Sequence, residues 1–68
     1  MSKTIYIEGM SCSHCSNRVE QVLNKIDGVT ATVDLAGKKA NIQLSKAVDD
    51  SVLRQAVEDA GYEVVNIE

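Results

Sequence analysis

Two helical stripes, each followed by a glycine and then a short apolar strand, constrain this chain of 68 residues more than any other feature. Between residues 13 and 27 the apolar positions are Cys15, Val19, Val22, Leu23 and Ile26, which fall on one face of a helix. Ser11 or Ser13 is placed to cap its start. Gly28 follows, where a helix end favours a left-handed residue. The pattern then recurs. Val52, Leu53, Ala56, Val57 and Ala60 form a second stripe, with Asp49 as N-cap, Asp50 in the first turn and Gly61 at the end.

Strands occupy the rest. Residues 4–8 alternate Ile5 and Ile7 with Tyr6, and Gly9 ends the run. Residues 29–35 alternate Val29, Ala31, Val33 and Leu35. Ala36, Gly37 and Lys38 make a hairpin turn, after which Ala40, Ile42 and Leu44 alternate. Residues 64–67 form the last strand, and its two faces are both partly apolar, so the pattern does not orient it. The order is βαββαβ. No linker or low-complexity segment interrupts it, and the length allows one domain over residues 1–68. The arrangement that buries both stripes is an α+β, ferredoxin-like fold: a four-stranded antiparallel sheet with two helices on one face. Following chain direction through it puts Tyr62, just after Gly61, at the same end as residues 9–15.

A chain this short buries only about 60% of the surface it exposes when unfolded, so its core is small. The formal net charge of −3, with two tyrosines and no Trp or Phe, argues against a nucleic-acid partner. No apolar run approaches the ~20 residues of a membrane span, so direct membrane insertion is not expected. The N-terminus lacks the apolar segment of a signal peptide. These features predict an intracellular, cytoplasmic protein, where a permanent disulfide is not expected.

The chemistry concentrates in GMSCSHC, residues 9–15. Cys12 falls in the loop and Cys15 in the first helical turn, where free amides and the helix dipole favour thiolates. A structural zinc site needs four ligands. Two thiols and one histidine, His14, argue against such a closed site in one chain. Soft thiolates select Cu(I), and Cu(I) or Hg(II) accepts two sulfurs as a complete set. A third sulfur from another protein can then join, and metal can pass by ligand exchange without release to water. A dithiol oxidoreductase remains the alternative from another class, because C-x-x-C is also its motif. It expects a longer fold with Pro or aromatic residues around the pair.

GMSCSHC resembles the GMxCxxC motif of the heavy-metal-associated domain, found in bacterial cytosolic copper chaperones and in the N-terminal domains of copper-exporting P-type ATPases. The resemblance runs through the whole chain, including IDGV after the first helix and EDAGY after the second. Tyr62 and the histidine in the motif are most similar to the bacterial chaperones. The resemblance implies a non-enzymatic Cu(I) carrier, with Cys12 and Cys15 as ligands and a copper-transporting ATPase as acceptor. It places Met10 under the loop as packing, and His14 and Tyr62 beside the metal. A copper-bridged homodimer is a further expectation. An excised ATPase domain, or a carrier of Ag, Hg or Zn, would share the pattern. Arg18, Lys25, Lys38, Lys39, Asp49 and Asp50 are read as solvated or capping residues.

Overall fold

The computed structural model describes residues 2–11 and 13–68. Its elements are β1 (Ser2–Glu8), α1 (Ser13–Asn24), β2 (Val29–Asp34), β3 (Lys39–Leu44), α2 (Asp50–Asp59) and β4 (Glu63–Ile67). The strands form one sheet in the order β2-β3-β1-β4, and every neighbouring pair is antiparallel. This is the expected ferredoxin-like arrangement.

Alternation decides what each strand buries. Ile5 and Ile7 of β1, Val29 and Ala31 of β2, and Ala40, Ile42 and Leu44 of β3 all enter the core. They meet Val19 and Leu23 of α1 and Leu53 and Val57 of α2, all four without exposed surface. Burying a side chain of this size contributes about 1.5–3 kcal/mol. Among the described residues no helix is long and apolar enough to cross a membrane.

The orientation of β4 follows from a bulge. Its register on β1 runs Ile5 to Ile67 and Tyr6 to Asn66, then shifts to pair Ile7 with Val64. Val65 is the extra residue and is 59% exposed. Val64 and Ile67 therefore both pack against the core although they lie three apart. A strict period of two had hidden this.

Several boundaries differ from the periodicity. The stripe extends to residue 27, but α1 stops at Asn24, whose side chain bonds across to Ala31. The chain then tightens, with Ile26 N–H donating to the Leu23 carbonyl at 3.1 Å. Ser13 is the first residue of α1. Asp49 is the N-cap of α2, yet its side chain makes no capping bond. Its carbonyl instead accepts from Val52 and Leu53. Val52, expected on the buried stripe, is 44% exposed because Leu53 takes the core position of that turn. Lys39 opens β3 half-buried, paired with Tyr6 and Asp34, and is not simply a solvated turn residue. Asp50 forms an ion pair with Lys3.

Candidate metal centre

α1 begins directly after the GMSC segment and carries His14 and Cys15 in its first turn. Cys12 lies outside the described residues. Cys15 is half-buried and packs against the core, so it continues the apolar stripe while keeping one side open. The first turn holds no acidic residue. Amide dipoles at such a helix start favour a negative sulfur. Ser16, buried to 9% exposure, donates from Oγ to the Ser13 carbonyl at 2.9 Å and steadies that turn. Beneath the loop, Met10 is 6% exposed and belongs to the core cluster, as expected.

Tyr62 reaches the same end from α2. The helix closes in a Schellman motif, in which Gly61 N–H donates to the Glu58 carbonyl at 2.9 Å and Tyr62 N–H to Val57 at 3.2 Å. Gly61 holds φ +95, which a residue with a Cβ adopts only with strain. This turn throws Tyr62 back toward the start of α1, and its ring packs against the core. A Cβ on Gly9 would stand 3.4 Å from Tyr62 Cδ1, so the ring lies against the beginning of the 9–15 segment.

Cys15 and Tyr62 share an open groove with His14, Asn17, Arg18 and Gln21. Among the described residues the groove carries one guanidinium and no carboxylate, a setting that favours a thiolate. The structure thus brings His14, Cys15 and Tyr62 to one groove. Asn17 and Gln21 were not singled out from the sequence. Their spacing from His14 in the series 14, 17, 18, 21 is one polar helical face, which could have found them. On the other side of Tyr62, a shallower cleft holds Glu8, Gly9, Gly61 and Glu63. Glu8 and Glu63 are direct cross-strand partners. Tyr62 therefore borders both a groove with a guanidinium and a cleft with two carboxylates.

A ferredoxin-like sheet whose first helix opens on a cysteine at an exposed end defines a class of small metal-binding domains. The heavy-metal-associated domain model matches residues 4–63, and the chain belongs to that family. It is 48% identical over 61 residues to the copper chaperone CopZ of Staphylococcus aureus, covering 87% of this chain and 90% of that protein. It is 53% identical over 57 residues to a copper-exporting P-type ATPase of Mycobacterium tuberculosis (strain ATCC 25618 / H37Rv). That match covers 84% of this chain but only 8% of the ATPase. Among solved structures, a CopZ metallochaperone superposes with a TM-score of 0.89 at 42% identity, covering 96% of this chain and all of that one. The N-terminal domain of a potential copper-translocating P-type ATPase from Bacillus subtilis, solved in the Cu(I)-loaded state, gives 0.84 at 38% identity, over 93% of this chain and 81% of that one.

Proposed function

We propose that this chain is a Cu(I) carrier, not an enzyme, that binds the ion between Cys12 and Cys15 and hands it to a copper-transporting P-type ATPase. The observation that carries the reading is the near full-length match to copper chaperones, with GMSCSHC intact. Cys15 supports it by standing half-buried at the start of α1, in a groove that holds no carboxylate among the described residues and is lined by Tyr62. Tyr62 borders the acidic cleft as well. Two thiolates satisfy a soft monovalent ion while leaving it open to a third. Transfer then proceeds by stepwise exchange: an incoming thiolate forms a bond to copper, and one of the two resident sulfurs leaves. The cytoplasm, where the acceptor domains of such pumps are reached, is the compartment this role requires.

Anaerobic titration tests the reading. The expected result is one Cu(I) per chain, lost in the Cys12→Ser, Cys15→Ser double variant. Binding that survives in that variant would overturn the assignment. An insulin-reduction assay showing turnover above that of a free dithiol would favour the oxidoreductase instead.

A second reading is favoured by the ATPase match, in which this sequence corresponds to a small part of a large pump. The same two cysteines would then receive copper for the pump that contains them. An immunoblot of native cells distinguishes the two by the size of the product that carries this sequence.

A further inference from the structure

β2 is an edge of the sheet, and an edge strand ordinarily offers a row of unpaired amides to any extended chain. Here that row is occupied. The outward N–H groups of β2 belong to Val29, Ala31 and Val33, which alternate with the residues bonded to β3. Val29 N–H donates to the Ile26 carbonyl at 3.1 Å. Ala31 N–H donates to Asn24 Oδ1 at 2.7 Å, and Asn24 Nδ2 returns a bond to the Ala31 carbonyl at 3.1 Å. Val33 N–H donates to Glu20 Oε2 at 3.1 Å. Asn24 thus pairs with Ala31 as a neighbouring strand would, and Glu20, one helical turn earlier, takes the next amide along. The opposite edge is defended differently, by the bulge at Val65 in β4.

We infer that Glu20 and Asn24 act as an edge clamp, which keeps a second copy of this chain from adding to the sheet through β2. A second copy would have to displace two side chains already bonded to the groups it needs. The clamp is a property of the fold and does not depend on which metal is carried.

Amide exchange and sedimentation test this on the metal-free, reduced protein. In the wild type, the Ala31 and Val33 amides should exchange slowly despite their place on an edge strand, with protection of roughly tenfold or more over an open amide. Asn24→Ala should release Ala31, and Glu20→Ala should release Val33, each with little effect on the other position. The double variant should form dimers whose fraction rises with concentration. Wild-type Ala31 and Val33 amides exchanging at the open-chain rate would overturn the inference, and this result does not depend on any variant folding. A folded double variant that stays monomeric at high concentration would overturn it equally.

Discussion

Gly28 links α1 to β2 at φ +85, and its replacement by alanine has consequences that can be worked from the structure. The conformation is held on both sides. The Gly28 carbonyl accepts from Ser45 N–H at 2.9 Å, and Val29 N–H donates to the Ile26 carbonyl at 3.1 Å. An alanine cannot relax out of the left-handed region without breaking one of these. The strain costs about 1–2 kcal/mol for an L-residue. A second cost is steric. The new Cβ would stand 2.5 Å from Lys46 Cγ, 3.1 Å from its Cε and 3.2 Å from its Cδ. Lys46 must swing away and release Asp27, which it now bonds at 2.5 Å. That contact is open to solvent and its loss adds little. Gly28→Ala should therefore destabilise by the roughly 1–2 kcal/mol of strain with the cost of displacing Lys46 on top of it, a fall in Tm of at least about 4–16 °C for a domain of this size. Thermal unfolding by circular dichroism measures it, in the wild-type and Lys46→Ala backgrounds. In the second background the clash is gone and the strain remains, so the cost should shrink but not vanish. A cost unchanged by Lys46→Ala would refute the steric part. A cost abolished by it would refute the backbone part.

Three other outcomes follow from the same geometry. Leu53→Ala empties a position with no exposed surface and should cost about 2–5 kcal/mol by denaturant unfolding, with the metal-binding stoichiometry unchanged. The Asp27 carboxyl is held below the ordinary aspartate range by its hydrogen bond and charge attraction to Lys46, aided by the Gly28 amide and opposed by slight desolvation. A depressed folded pKa stabilises the fold above the unfolded value and is lost as pH falls through the folded one. Lys46→Met should therefore raise the Asp27 titration midpoint in carbon-detected NMR, with the stability difference full above roughly pH 4, fading as pH falls further, and weakened by salt. Tyr62→Ala removes the ring that borders both the Cys15 groove and the acidic cleft and should speed loss of Cu(I) to a competing chelator, whereas Tyr62→Phe, which keeps the ring, should not; stopped-flow transfer compares them.

Periodicity carried the fold because a small two-layer domain gives every strand and helix one buried face. Ile5 and Ile7, Ala40 and Ile42, and Leu53 and Val57 announce that face directly. Chain direction alone brought Tyr62 to the end that holds Cys15. What stayed hidden involves backbone partners, which residue patterning does not encode. The bulge at Val65 turns Val64 and Ile67 to the same side, against the alternation. Asn24 and Glu20 look like ordinary polar helix residues, and only the approach of α1 to the β2 edge shows what they bond. The groove at Cys15 was half legible: GMSCSHC named the cysteines and His14, while Asn17 and Gln21 required the helix to be built. Val52 shows the converse, an apolar residue on the stripe that the adjacent Leu53 leaves at the surface.

The proposed carrier role requires that two sulfurs of this chain form the whole first shell of a Cu(I) ion. X-ray absorption at the copper edge, on protein loaded anaerobically with one equivalent of Cu(I) and kept dilute enough to prevent copper bridging between copies, tests it most directly. The expected result is a Cu(I) edge with a first shell of two sulfurs, and no such species in the Cys12→Ser, Cys15→Ser variant. A first shell of nitrogen or oxygen, or an unchanged spectrum in that variant, would contradict it.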